Sequence, residues 1–504
     1  MKDVPAIRLP REAVPNARPP GWHNPTSRGP YRLLVIGAGP AGLMAARTAA
    51  AMGVSVALIE GHQIGGNCVN DGCIPSKTII RSATLYAEMR NAENFGVMPP
   101  AEVIVDFPAV MARMRRIRER MSRVDSPARL AAAGIDLFFG FARFVGRDAV
   151  EVDGQRLRFD KAMIATGSRA LLPEIEGLTE AGYQTNETVF ELRALPSSLL
   201  VIGGGPLGCE LAQAFARFGA RTLISHREPL FLPLEERDAA QMVSDALTRD
   251  GVEIHLNSEV TKVSVEGGRK LVEMRIQGDQ VSTVVDEILT GIGRLPAVQG
   301  LDLEAAGVAY DDTAGIEVDD FLRTRNPRIF AAGDVCLEHQ FTSTAEASAR
   351  IVVRNALLPF HRFGRQRVSA LTVPWCTYTD PQVAHVGMYV KQARERNIPV
   401  KTYTVPMHEV DRAIADGEED GFVKIHVRDG TDRILGATIV SRCAGEMINN
   451  ASLAMEAGLG LRRLARVMHA YPTQGEAIRQ AAQACAQEHR SPLLAWLERK
   501  WMGR

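Results

Sequence analysis

The chain has 504 residues, of which 46 % are apolar and 23 % charged. That is globular composition, and the length allows three or four domains. Lysine plus arginine total 59, as do aspartate plus glutamate, so the formal charge is zero, which argues against a nucleic-acid or membrane-surface role.

No apolar run approaches the roughly 18 residues of a membrane span. The first twenty residues hold five prolines and no apolar stretch, so no secretory signal is read there. Seven cysteines are too few for a disulfide scaffold. The expected compartment is the cytoplasm, where a disulfide is more often catalytic than structural.

Residues 1–30 are rich in Pro, Arg and Asn without a period and read as an extension, on the surface or without order. Tyr31 to Ile36 is a short apolar run that ends at Gly37. A helical pattern follows to Gly53, and a second apolar run, Val54 to Ile59, ends in Glu60. Strand, tight turn, helix, strand is the unit of a parallel sheet. Its turn is Gly37-Ala38-Gly39-Pro40-Ala41-Gly42, with Glu60 placed 18 residues beyond the last glycine. Gly37 permits the tight turn, Gly39 lets backbone approach a pyrophosphate, and Gly42 lets helix and strand pack closely. The helix N-terminus offers unpaired N–H groups to phosphate, and Glu60 can accept hydrogen bonds from ribose.

The same unit returns 166 residues on, as Leu199 to Ile202 and then Gly203-Gly204-Gly205-Pro206-Leu207-Gly208. A helix to Phe218 and a strand from Thr222 to Ile224 complete it. The place of the ribose acid is taken by His226, with Arg227 beside it. Arginine can pair with a 2′-phosphate that an acid would repel, so NADPH is expected, with NADH as the alternative donor. Between the units lies a strand from Ala162 to Thr166, and later Ile329-Phe330-Ala331-Ala332-Gly333-Asp334 puts a carboxylate at a strand end.

Cys68 and Cys73 enclose Val69-Asn70-Asp71-Gly72. In a regular helix five residues rise about 7.5 Å, beyond disulfide reach. Asn-Asp-Gly is turn chemistry that can fold the loop back. A helix start near Pro75, with Lys77 four residues beyond Cys73, lowers that thiol's pKa. A zinc site is disfavoured because no second Cys/His pair stands nearby. A flavin can pass two electrons to an adjacent disulfide, so FAD is assigned to the first unit and NADPH to the second.

Past residue 370 the pattern changes. Phe422 to Val427 and Ile434 to Val440 alternate as strands, with helical patterns from Glu446 to Ala457 and from Leu461 to Met468. The fold class read from these patterns is α/β, with two Rossmann-like nucleotide-binding domains and a C-terminal α+β domain. The expected boundaries are an extension at 1–30, an FAD domain at 31–170 and 301–368, and an NAD(P) domain at 171–300. An α+β domain at 369–485, which a family resemblance makes the dimerisation domain, and a tail at 486–504 follow.

From about residue 31 to 480 the chain resembles the flavin-dependent pyridine nucleotide–disulfide oxidoreductases, which include glutathione reductase, dihydrolipoyl dehydrogenase and mercuric reductase. The run Glu210 to Arg217 and the run Pro374 to Gly387, with Tyr378-Thr379-Asp380-Pro381, look most like mercuric reductase. The resemblance implies that Cys68 and Cys73 form a redox-active disulfide, Cys73 by the flavin and Cys68 exchanging with substrate. It implies that Lys77 pairs with Glu210, that Gly140, Thr166 and Gly167 border FAD, and that Asp334 holds the ribityl chain. It also implies that Gly293 lies by the nicotinamide, and that a homodimer forms in which the last motif completes the partner's site.

That motif departs from the disulfide reductases. It reads His469-Ala470-Tyr471-Pro472-Thr473-Gln474-Gly475-Glu476, with Tyr471 where they carry His and Glu476 at the expected distance. An ordinary Tyr titrates near 10 against about 6.5 for His, so Tyr471 is a poor proton shuttle but a good hydrogen-bond partner. Mercuric reductase also has Tyr there. Unlike mercuric reductase, the tail carries no adjacent cysteines; Cys485 stands alone, and Pro206 occupies the position of a gating aromatic.

The expectation is a flavoenzyme that reduces Hg(II), another thiol-reactive acceptor or a small disulfide. The alternatives are a dihydrolipoyl dehydrogenase and a slow redox-sensing flavoprotein. Arg113, Arg115, Arg116, Arg118, Arg120 and Arg123 read as a solvated helix face. Leu493, Leu494, Leu497 and Trp501 read as a dimer-packing stripe. Cys209, Cys336, Cys376 and Cys443 read as small core residues.

Overall fold

Small side chains decide how the first nucleotide unit closes. The helix Pro40–Ala51 buries Ala41, Gly42, Leu43, Ala45, Ala46 and Ala49, all small but Leu43. That face shares one core with Ala345, Ala349, Val352 and Ala356 of the helix Thr342–Leu357. The computed structural model describes Val14, residues 16–99, 103–358 and 364–489, together with Trp496, Lys500 and Trp501. Its chain forms two units, one of Met1–Arg227 with Asn257–Leu371, the other of Glu228–Leu256 with Thr372–Arg504.

In the first unit the strands Ile135–Phe139, Val56–Glu60, Tyr31–Ile36 and Gln155–Ile164 lie side by side and parallel, with Ile329–Ala331 also parallel to Gln155–Ile164. The register sets Ile36 opposite both Ile59 and Ile164, so three strand ends converge beside Gly37. These strands read as continuous apolar runs because helices or loops cover both faces. Leu33, Leu34, Val35 and Leu58 are fully buried, and each such side chain contributes about 1.5–3 kcal/mol. A second parallel set, Arg221–His226, Ser198–Ile202 and Glu287–Thr290, repeats the arrangement. It adjoins an antiparallel sheet of Ser258–Glu266, Arg269–Ile276 and Asp279–Val285.

The second unit is α+β. Its sheet runs Pro374–Thr377, Gln382–Gly387, Ile434–Ser441, Phe422–Arg428 and Val400–Pro406, all antiparallel. Helices Ala444–Glu456 and Glu476–Glu488 share a core with it. Helix Leu461–Leu464 ends four residues before the expected Met468.

Two expectations change. The described part of the extension is not loose: Ala17 is fully buried and Trp22 packs edge-on against Phe139. The arginine-rich helix, Phe107–Ser122, is not wholly a solvated face. Arg118 is only 4 % exposed, pairs with Glu191 at 2.8 Å and donates to the Asn70 carbonyl. Its charge is buried because a carboxylate and a carbonyl meet it there. Leu493, Leu494 and Leu497 lie outside the described residues, and Trp501 is exposed. No helix among the described residues is long and apolar enough to cross a membrane.

Candidate active site

Both glycine turns have the same anatomy. Gly37 sits at φ +103°, and a Cβ there would run into the Ala165 carbonyl, so only glycine lets these strand ends approach. Gly39 and Gly205 are the N-caps of Pro40–Ala51 and Pro206–Arg217, and neither helix has a side-chain cap. Phosphate oxygens can therefore meet first-turn N–H groups that no side chain covers. Gly42 and Gly208 stand in the first turns of those helices, and Gly203 donates its N–H to the Ser225 carbonyl.

Glu60 is buried at the end of its strand. It accepts from Ala38 N–H and His62 N–H, both at 2.7 Å. Burial pushes its carboxyl up, and these N–H groups and Arg18 pull against that. In the second unit the Nδ1 of His226 sits 3.2 Å from the Gly204 N–H and accepts from it, in the place of the carboxylate. Arg227 leaves its side chain 80 % exposed, touching Glu259 at 3.8 Å. The bare helix ends, the crowded glycine turns and the acid at the first turn fit an adenine dinucleotide at each unit.

Cys68 lies in the short helix Gly66–Asn70, and Cys73 begins the helix Cys73–Arg90. The break between them is what brings the thiols together. Asn70 Nδ2 turns back to the Ile64 and Gly66 carbonyls, which ends the first helix. A Cβ on Gly72 would stand 2.8 Å from the Asn67 carbonyl, so the second helix starts only on glycine. Both cysteines are free thiols here. The neighbouring Cys68 and Lys77 lower the Cys73 pKa to about 6, and Cys73 together with burial pushes Cys68 up.

Lys77 donates to Glu210 Oε2 at 2.7 Å, and Glu210 is 3 % exposed on the second glycine-turn helix. That pair ties the cysteine helix to the second nucleotide unit. Asn67 Nδ2 donates to the Ser168 carbonyl at 2.8 Å, and Ser168 Oγ donates to Asp334 at 2.8 Å. Asp334 also meets Arg294 at 2.9 Å. Thr166 Oγ1 donates to Ala297, Gly167 accepts from Ala297 N–H, and Gly140 donates to the Glu60 carbonyl. Gly293, at φ +129°, accepts from Leu171 N–H.

Three contributors carry no sequence signal of their own. Thr342 Oγ1 stands 3.8 Å from Cys73 Sγ at the first residue of Thr342–Leu357. It is 269 positions away, and only the fold joins them. Asn67 and Ser168 flank motifs that sequence reading did reach. Tyr471 and Glu476 belong to the second unit. Tyr471 is 71 % exposed and donates to Asp411 at 2.8 Å, a bond that raises its pKa. Glu476 is paired with Arg479, which lowers its pKa.

This geometry is that of a known architecture. Residues 31–349 match the pyridine nucleotide-disulphide oxidoreductase model, and residues 373–482 match that family's dimerisation domain. The chain belongs to the pyridine nucleotide–disulphide oxidoreductase family. Members of this family are flavoproteins that bind FAD and use a pyridine nucleotide. The chain is 34 % identical over 460 residues to mercuric reductase of Streptomyces lividans, covering 90 % of this chain and 96 % of that one. It is 31 % identical over 456 residues to dihydrolipoyl dehydrogenase of Thermus scotoductus, covering 90 % and 97 %. A solved structure of the HOCl-induced flavoprotein disulfide reductase RclA from Escherichia coli, in its Cu(II) complex, superposes with a TM-score of 0.79 at 30 % identity. That match covers 90 % of this chain and 99 % of the other.

Proposed function

We propose that this enzyme is a homodimeric, FAD-dependent NADPH oxidoreductase. Its acceptor is a soft, thiol-seeking species of the Hg(II)–thiolate type, or a small disulfide, met at Cys68. The observation that carries this reading is the pair of free thiols on either side of a helix break, with the Lys77–Glu210 ion pair one turn beyond Cys73. When bound, FAD supplies the two-electron passage from reduced nicotinamide to the cysteine pair. Glu60 and the bare end of Pro40–Ala51 hold the adenosine and pyrophosphate of the flavin.

Lys77, fixed by Glu210, keeps a cation beside the Cys73 thiolate. Cys68 is then the free partner that exchanges with substrate. A soft cation takes two sulfur ligands at a time: Cys73 meets it as the thiolate, and Cys68 releases its proton on binding. Tyr471 supports the metal-thiolate acceptor over lipoamide, because a phenol is a hydrogen-bond partner and a poor shuttle at neutral pH. His226 and the exposed Arg227 support NADPH over NADH.

Steady-state oxidation of NADPH and of NADH should be compared across Hg(II)–thiol complexes, oxidised lipoamide and small disulfides. Cys68→Ser should abolish acceptor turnover while NADPH still bleaches the flavin. Fast NADH-dependent lipoamide turnover by the parent enzyme would overturn the acceptor and the donor together.

A further inference from the structure

Residues 16–24 precede the family match, which begins at residue 31. They are nonetheless fastened to the rim of the first nucleotide unit. The Ala17 carbonyl accepts from Ile64 N–H at 3.0 Å. Arg18 Nη1 donates to the Gly61 carbonyl at 3.1 Å and to that of His62 at 3.4 Å. Its guanidinium lies 5.4 Å above the Phe139 ring. Trp22 meets the same ring edge-on at 5.6 Å and donates Nε1–H to Asn24. Asn24 binds Phe139 at two points, donating to its carbonyl and accepting from its N–H, each at 2.8 Å.

These anchors share one address. Phe139 ends the edge strand Ile135–Phe139, and the next residue, Gly140, donates to the Glu60 carbonyl at 2.9 Å. Gly61, His62 and Ile64 form the loop from Glu60 to the helix that carries Cys68. Ligands of parallel sheets lie outside such carboxyl ends, and the acid at the second strand's end marks the ribose side. The loop is pinned to the glycine turn by the Gly65 N–H on the Ala38 carbonyl and to Glu60 by the His62 N–H. Ala17 and Arg18 add bonds from its outer side, and Asn24 fixes Phe139 beside it. Arg18 also brings positive charge toward Glu60, which favours its ionised, accepting form.

We propose that residues 16–24 are a retaining strap for the FAD at the first glycine turn, with Arg18, Trp22 and Asn24 holding the rim closed over its adenosine half. This rests on the assignment of FAD to that turn. The test is flavin release from the holoenzyme on dilution, followed by the recovery of free-flavin fluorescence. Arg18→Ala/Asn24→Ala should release FAD about tenfold faster, since several net hydrogen bonds are lost. The single Arg18→Ala, at an exposed side chain, should move the same way.

Arg28→Ala is the control. Arg28 lies just beyond the strap, also ahead of the family match, and pairs with Asp136, toward the opposite end of the edge strand. It should release FAD at the parent rate. Equal release by parent and double variant overturns the strap, as does equal acceleration by Arg28→Ala, which would mean general loosening. A parent chain that takes up no FAD overturns the site assignment, and the strap with it.

Discussion

Cys73 and Cys68 are the same chemical group five positions apart, and their surroundings separate them. Cys73 opens a helix with Cys68 and Lys77 as neighbours, and its pKa falls to about 6. Cys68 is held protonated by Cys73 and by burial, and its pKa is raised. A lowered thiol contributes stability above its ordinary pKa and loses it as pH falls through about 6. Alkylation of the reduced protein by iodoacetamide, located by mass spectrometry, should therefore rise at Cys73 through a midpoint near pH 6. Lys77→Met should move that midpoint up by about one unit, because a nearby cation favours the thiolate. A midpoint that stays in place would mean that the neighbouring Cys68 alone sets it. Lys77 was legible in the sequence because four residues along a helix is one turn. Thr342 was not, because nothing local links it to a cysteine 269 positions away.

The two helices around the thiols are as constrained as the thiols themselves. Asn70-Asp71-Gly72 reads as a turn from composition alone, and the chain does break there. What composition does not reveal is why it must: the Asn67 carbonyl fills the space beside Gly72. Gly72→Ala puts a methyl 2.8 Å from that oxygen, so the break has to open. Overpacking of this kind costs about 1–3 kcal/mol. The urea midpoint should drop accordingly, and the reduced thiols should close to a disulfide more slowly with a mild oxidant. Unchanged closure would show that the break tolerates relaxation. The helix Phe107–Ser122 teaches the converse lesson. Its arginine run reads as a solvated face, yet Arg118 is buried against Glu191 and the Asn70 carbonyl, and Arg113 and Arg115 reach the Thr78 and Leu192 carbonyls of other elements. Spacing along one helix cannot reveal partners that lie elsewhere in the chain.

At the scale of the molecule, the repeated nucleotide units were readable because glycine turns and apolar strands are local patterns. The contacts that Glu228–Leu256 makes with Thr372–Arg504, with which it forms one compact unit, were not. Buried polar groups make these contacts. Tyr389 donates to Glu235 at 2.7 Å, Trp375 donates to it at 3.3 Å, and Glu236 faces His426 and Lys424, each at 3.2 Å. Burial pushes the Glu236 carboxyl up, but His426 and Lys424 outweigh it and bring it down to about 2. A carboxylate lowered in this way stabilises the unit fully above its ordinary pKa near 4.5, and that contribution drains away as pH falls toward 2. The size is up to about 3 kcal/mol. Hydrogen exchange in the helix Arg237–Arg249 should therefore accelerate, relative to its intrinsic rate, between pH 4.5 and 2.5. Glu236→Gln should already be faster at pH 7, because His426 then faces a neutral amide and Lys424 keeps only Asp238, and should change less on acidification. If the parent and the variant lose protection in parallel as the pH is lowered, the Glu236 cluster is not what holds this helix to its unit.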